Sequence, residues 1–263
     1  MRAFACQRWM CTLRAIVRDI SERFSDAVTM HASQGDINVS LARTQHAAYV
    51  AALRALAVDV TVLAADSDQP DCVFVEDQAV VAGGMGLITR SGNAGRRAEA
   101  VAVASALDPF MPLNHMAAPA TLDGGDVLRV GRVLFVGRSA RTSAGGVEAL
   151  TETFGPHGFA VVEVTVSDAL HLKCHCSTPG PGVVLLAPDR VPAGAFSDFR
   201  VLEVPPQEAY AANVVGVNGS VLVPAGYDAT RAVLEGAGFD VVVLDTSEIA
   251  KADGSLTCMS LFF

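Results

Sequence analysis

No run of apolar residues in this chain is long enough to cross a membrane. Tracts such as VVLLAPDR at 183–190 and VVVLDTSEI at 241–249 meet charge well short of the roughly 18 to 20 residues that a span needs, so no transmembrane helix is expected. A basic stripe is missing too. The 19 Lys and Arg are scattered and outnumbered by 28 Asp and Glu, leaving a net charge of -9 that argues against nucleic acid and suits a small cationic substrate. Lysine is nearly absent, with Lys173 and Lys251 against seventeen arginines, a bias typical of a GC-rich, bacterial genome. The six cysteines (Cys6, Cys11, Cys72, Cys174, Cys176, Cys258) form no CxxC pair and no short secreted framework. That favours a reducing compartment, and a cytoplasmic location is expected. The opening MRAFACQRWMCTLRAIVR has four arginines and no acid, but lacks the apolar core and small-residue cleavage site of a secretory signal. Residues 1–12 are expected to be a disordered extension and residues 13–263 a single domain.

What the chain does have is repetition, and with 51% hydrophobic residues it can bury a substantial core. VDVTVLAAD at 58–66, FAVVEVTVSD at 159–168 and FDVVVLDTSE at 239–248 are β-branched strands, each following an Ala-rich helical stretch at 41–57, 141–154 or 228–236. Hairpins are expected around Gly83-Gly84, near Gly131, at Pro179-Gly180-Pro181 and at Asn218-Gly219. A fifth unit forms if the last strand pairs with residues 13–18. Polar residues near the hairpin starts, Glu76, Asp123, His171, Asn213 and Cys258, are 47, 48, 42 and 45 positions apart. A period near 45 implies five stacked α/β modules whose equivalent residues face one axis. An open doubly wound sheet is the alternative that βα alternation alone would favour, and the tight hairpins argue against it.

Cys258 stands in DGSLTCMSLFF, a tract that reads as a pinned, buried strand. Taken alone it reads as a packed core thiol, as most buried cysteines are. His171 in LHLK and Asp123 in TLDGGD occupy the matching places in their modules, and a Cys beside a His oriented by a carboxylate is the minimum kit for covalent catalysis. Asp71, Glu76 and Asp77 in PDCVFVED offer carboxylates to a planar guanidinium. These ligands match no zinc spacing, and no metal is expected to be required. Cys174 and Cys176 are expected on one face of a single strand, with His175 on the other.

The segments PDCVFVED, ITR followed by GRR at 95–97, LDGGD, SARTS, LHLK, YAAN, VPAGY and DGSLTCMSL stand in the order of a known family. The chain resembles the dimethylarginine dimethylaminohydrolases, members of the guanidine-modifying superfamily, over about residues 13 to 263, and its LHLK histidine and LTC cysteine are 87 residues apart as in that family. The resemblance implies a five-bladed β/α propeller (pentein) of ββαβ modules. It implies hydrolysis of asymmetric dimethylarginine and monomethylarginine to citrulline through a cysteine-bound alkylthiouronium, without a cofactor. Cys258 is then the nucleophile, His171 the acid and base, and Asp123 its orienter. Glu76 and Asp77 bind the guanidinium with Asp71 nearby, and Arg96 and Arg141 clamp the substrate carboxylate. Val28 lies on a lid, and the Ala252 carbonyl meets the substrate. The stretch from Met30 to Asn38 departs most from the family pattern. Arginine deiminase and a noncatalytic binding propeller are the alternatives. A small-molecule partner is expected, and either a monomer or a homodimer.

Overall fold

The computed structural model describes residues 12–29, 36–166 and 170–263. The expected N-terminal extension, apart from Thr12, and the stretch 30–35 of the expected lid lie outside the described residues. Strands β1 (Arg14–Arg18) and β2 (Asp59–Leu63) bracket helix α1 (Val39–Ala55). Next come β3 (Ala79–Ala82), β4 (Met85–Ile88), α2 (Ala100–Leu107) and β5 (Leu113–His115). The third unit holds β6 (Val127–Val130), β7 (Val133–Gly137), α3 (Ala144–Phe154) and β8 (Ala160–Val164). The fourth holds β9 (Cys176–Gly180), β10 (Val183–Leu186) and β11 (Arg200–Glu203). The chain finishes with β12 (Val215–Val217), β13 (Ser220–Pro224), α4 (Asp228–Gly236), β14 (Asp240–Leu244), α5 (Ser247–Ala250) and β15 (Leu261–Phe262).

These strands form five separate three-stranded sheets, each an antiparallel pair followed by a parallel third strand. The doubly wound alternative is thereby excluded. The first sheet closes the ring: β15 pairs antiparallel with β1, Ala15 opposite Phe262 and Ile16 opposite Leu261, while β2 runs parallel on the other side. Turn chemistry explains the hairpins. Asn218 and Gly219 have φ of 47° and 93°, the left-handed pair that a two-residue β-turn of matching twist demands.

Five apolar clusters lie between neighbouring sheets and together complete a circle. Tyr49, Phe24 and Leu222 join the last module to the first, Ile16 and Val103 the first to the second, and Leu122 and Leu134 the second to the third. Phe135 and Phe196 join the third to the fourth, and Leu185 and Leu234 the fourth to the fifth. Each sheet therefore buries both faces against its neighbours, which makes the five-bladed β/α propeller the consequence of the strand pattern. No helix among the described residues is long and apolar enough to cross a membrane.

Besides the last strand, which starts only at Leu261 and leaves Cys258 in a 3-10 turn, three details depart from the sequence reading. Helix α2 was not foreseen because alternating Val and Ala in AVAVASAL mimic a strand, although Ala100, Val103 and Leu107 bury one helical face. The fourth module crosses over through a 3-10 turn, Ala193–Phe196, where Pro188, Pro192 and Gly194 prevent a full helix. Cys174 belongs to the 3-10 turn Leu172–Cys174 and β9 starts only at Cys176, so the three residues 174–176 do not share one strand.

Inner strands β3, β6, β9, β12 and β15 surround the axis, and each is preceded by a 3-10 turn: Val75–Gln78, Gly124–Asp126, Leu172–Cys174, Pro206–Ala212 and Thr257–Met259. The turns divide two cavities. One, of about 350 Å³, is walled by the inner strands at Val80, Leu128, Thr178, Val215 and Leu261 and reaches Glu76, Lys173 and Thr257. The other, of about 20 Å³, is lined by Asp77, His171 and Cys258 among others. Consecutive residues, Glu76 and Asp77, Thr257 and Cys258, divide between the two, so the floor separating them is one residue thick.

Candidate active site

Asp123 and His171 each stand in extended conformation immediately before a 3-10 turn, and Cys258 lies within one. His171 Nε2 is 3.1 Å from Asp123 Oδ2, and both side chains are buried. The Asp123 carboxylate also accepts the backbone N–H of Gly92 at 2.9 Å, which fixes it as an acceptor aimed at the ring. On the other edge of the imidazole, Nδ1 lies 3.8 Å from Asp77 Oδ1. Burial pulls the imidazole pKa down, but Asp77, the Asp123 hydrogen bond and Asp126 outweigh it and hold it above its ordinary value. Asp77 is the converse case: burial disfavours its charge, yet His171 and Arg96 bring its carboxyl down to about 2.

Glycine makes this approach possible. A Cβ on Gly125 would sit 2.6 Å from His171 Nδ1 and 2.7 Å from Asp77 Oδ1, so only hydrogen fits between the two functional groups. The Gly125 N–H itself donates to Asp77 Oδ1 at 3.0 Å.

Cys258 is half-buried and borders the small pocket together with His171, Asp77, Asp71, Arg96, Arg141, Val28 and Ala252. Burial, then the charges of Glu76 and Asp77, push its thiol well above the usual range. The sulfur therefore awaits a positive charge before it ionises.

The two arginines differ. Arg96 is saturated: Nη1 donates to Asp77 Oδ2 at 2.6 Å, Nε and Nη2 fork onto Glu99 at 3.1 and 2.8 Å, and Nη2 also reaches the Phe74 carbonyl at 3.2 Å. Arg141 lies 3.6 Å from Asp123 Oδ2 through Nη1, a nitrogen that is buried without a hydrogen-bond partner. Asp71 receives the Val28 N–H on both carboxylate oxygens at 3.2 Å and so ties the segment of the exposed Val28 to the pocket wall.

Glu76 faces the other way. Its two oxygens accept Lys173 Nζ at 2.5 Å and Thr257 Oγ1 at 2.7 Å, and it borders the large axial cavity instead of the Cys258 pocket. Ligand atoms of Asp77, Asp123 and His171 converge within 4.8 Å, the geometry of a metal cluster, but an arginine sits against each carboxylate and supplies the compensating charge. Sequence reasoning passed over Asp126, which accepts from Ser139 Oγ at 2.5 Å, Thr142 Oγ1 at 2.6 Å and the Leu172 N–H at 2.9 Å. It anchors the SARTS and LHLK segments to each other, and its place at the end of LDGGD was the available signal.

Comparison with known proteins gives concordant results. The family model described as N,N dimethylarginine dimethylhydrolase, eukaryotic, matches residues 19–193. The N(G),N(G)-dimethylarginine dimethylaminohydrolase of Pseudomonas aeruginosa is 37% identical, covering 87% of this chain and 91% of that protein. The protein of the same name from Streptomyces coelicolor is 36% identical, covering 96% and 97%. A solved structure of the Pseudomonas aeruginosa enzyme, a cysteine-to-serine mutant complexed with citrulline, superposes with a TM-score of 0.91 at 35% identity, covering 95% of this chain and 98% of that one.

Proposed function

The chain belongs to the dimethylarginine dimethylaminohydrolase family, and from that premise we propose that it hydrolyses Nω-methylated arginines to citrulline and methylamine or dimethylamine. The observation that carries this reading is a pocket shared by Cys258 and His171. One wall of it is anionic at Asp71 and Asp77, and it holds a guanidinium nitrogen, Arg141 Nη1, that has an ion-pair contact with Asp123 at 3.6 Å but no hydrogen-bond partner. Those features match the two ends of an amino-acid guanidine: a planar cation for the carboxylates and a carboxylate for Arg141.

The substrate cation would settle against Asp77 with its guanidinium carbon over the sulfur. Its charge opposes that of Glu76 and Asp77, so the thiol proton passes to solvent as the substrate arrives, His171 already holding its own. The thiolate attacks the guanidinium carbon, and the bond from that carbon to the methylated nitrogen breaks. His171, whose raised pKa keeps its proton available, donates that proton to the departing amine. An alkylthiouronium remains on Cys258. Water then attacks the same carbon, neutral His171 takes a proton from it, the C–S bond breaks, and citrulline and thiolate are released. Asp123 and Asp77 stabilise the imidazolium from its two edges throughout. At about 20 Å³ the pocket has room for roughly one water, and Val28 is part of its lining.

The test is incubation of purified protein with asymmetric dimethylarginine, monomethylarginine and arginine, followed by assay of citrulline and released amine. Citrulline with dimethylamine in equal amounts is the expected result. Preferential release of ammonia from arginine would mark a deiminase, and no product from any of the three would sink the enzymatic reading.

A further inference from the structure

Glu99 is a buried carboxylate that the proposed reaction does not use. It ends the 3-10 segment Ala94–Glu99, immediately before α2, and is 1% exposed. Its two oxygens close on one guanidinium, Oε1 accepting Arg96 Nε at 3.1 Å and Oε2 accepting Nη2 at 2.8 Å. Oε2 also accepts Gln78 Nε2 at 2.8 Å, from the turn that carries Asp77. On its other side Arg96 donates through Nη1 to Asp77 Oδ2 at 2.6 Å. One positive charge is therefore shared by two acids, of which Asp77 lines the Cys258 pocket and Glu99 stands behind it.

We infer that Glu99 is a positioning residue that, through Arg96, keeps the charge of Asp77 directed at a cationic ligand of the Cys258 pocket. With Glu99 ionised, the guanidinium is divided between two carboxylates and Asp77 retains most of its negative charge toward the pocket. With Glu99 neutral, Arg96 is left to Asp77 alone and cancels it. A second acid on a cation that is already paired is costly to bury. Burial accordingly holds the Glu99 carboxyl up at about 7, against the pull of Arg96. The groups that titrate or carry charge around Glu99 are Arg96 from its own segment, and Asp71, Cys72 and Asp77 from the segment before β3. His171, whose Nδ1 is 3.8 Å from Asp77 Oδ1, senses the same charge from the pocket side. A residue that only stapled two turns together would affect every ligand alike, whereas one that sets a charge affects cations.

The inference rests on a methylarginine being the substrate, but one arm of its test needs no substrate. NMR titration of the His171 ring in the free protein reads the Asp77 charge, and Glu99→Gln should lower that pKa by about half a pH unit. Binding is measured by calorimetry in a Cys258→Ser background, where no turnover intervenes. At roughly pH 8, Glu99→Gln should weaken asymmetric dimethylarginine about tenfold and leave citrulline, whose side chain is uncharged, within about twofold. At roughly pH 6, where Glu99 itself is mostly protonated, proteins with and without the substitution should bind dimethylarginine alike. Glu99→Asp keeps the charge and should restore most of the affinity. Arg96 still pairs with Asp77 in Glu99→Gln, so no charge is stranded and the fold is expected to hold. If it does not, Gln78→Leu decides: it takes one hydrogen bond from Glu99 and removes Gln78 Oε1, which is buried without a hydrogen-bond partner. The pH above which dimethylarginine binding strengthens should then rise by about half a pH unit, and an unmoved profile overturns the inference. Equal losses for dimethylarginine and citrulline, equal losses at both pH values, or an unchanged His171 pKa would reduce Glu99 to a structural staple and likewise overturn it. If the His171 pKa falls as stated while dimethylarginine does not bind, the positioning role stands and the substrate assignment fails.

Discussion

Arg96 places Nη1 2.6 Å from Asp77 Oδ2 with both side chains closed off from solvent, and its remaining donors are shared between Glu99 and backbone carbonyls. A guanidinium so engaged holds Asp77 in place and has little left for a ligand. Arg141 is engaged through Nη1 at one ion-pair contact of 3.6 Å, and that buried nitrogen makes no hydrogen bond. The two arginines should therefore fail differently when replaced. Arg141→Leu is expected to raise KM by about 10- to 100-fold, the loss of one charged hydrogen-bonding partner, and to cost less stability than Arg96→Leu because Asp123 keeps His171 and the Gly92 N–H. Arg96→Leu strands Asp77 and Glu99 in the interior and should cost about 3–5 kcal/mol of stability in urea titration. Equal KM effects from both on folded protein would show that they act together on the substrate.

His171→Ala should bind methylarginine with near-parental affinity while turnover drops about 10²- to 10⁴-fold, the usual contribution of one general acid and base. Cys258→Ser should form no covalent adduct. Intact-mass measurement during turnover checks both, and an adduct on the serine variant would remove Cys258 from its role.

Gly125→Ala tests the close approach of His171 and Asp77. With 2.6 and 2.7 Å available to a methyl group, the two functional groups must part, and turnover should fall about 100-fold while the fold is kept. A crystal structure or melting curve separates this from unfolding; full activity in the variant would mean that the two groups need not meet.

His46 offers a stability test away from the pocket. It is 3% exposed, its Nε2 lacks a hydrogen-bond partner, and burial, partly offset by Asp19, brings its pKa from 6.5 to about 4. The folded state thus binds this proton less readily than the unfolded state. Stability from the neutral ring is present above pH 6.5 and is lost as pH falls toward 4, amounting to about 3 kcal/mol. Urea titrations at pH 7 and pH 4 should show a shallower acid loss for His46→Leu than for the parent. Parallel losses in the two proteins would show that His46 does not titrate in this window.

Much of the fold was readable because repetition survives in the sequence. The spacing of Glu76, Asp123, His171, Asn213 and Cys258 marks the five turns around the axis, and apolar residues at Leu261 and Phe262 signalled a strand that needed a partner. Side-chain direction at the axis was not readable. Glu76 and Asp77 are neighbouring acids in one 3-10 turn, and composition alone does not tell which carboxylate faces which cavity. The pairing of Arg96 with Glu99 was equally hidden, since an i,i+3 contact becomes a saturated cluster only when Asp77 arrives from another element. Helix α2 was missed for a local reason, its Val and Ala alternating at a period of two while its burial follows a period near 3.6.

The single-residue floor between the two cavities makes phase, more than residue type, the quantity that these five turns must preserve. Inserting or deleting one residue within Val75–Gln78 or Thr257–Met259 would exchange Glu76 for Asp77, or Thr257 for Cys258, across the floor, putting the thiol into the axial cavity and a hydroxyl into the reaction pocket. Changes of length that drift into such a protein over time are therefore expected on the rim, in connections such as that between α2 and β5, and not at the centre.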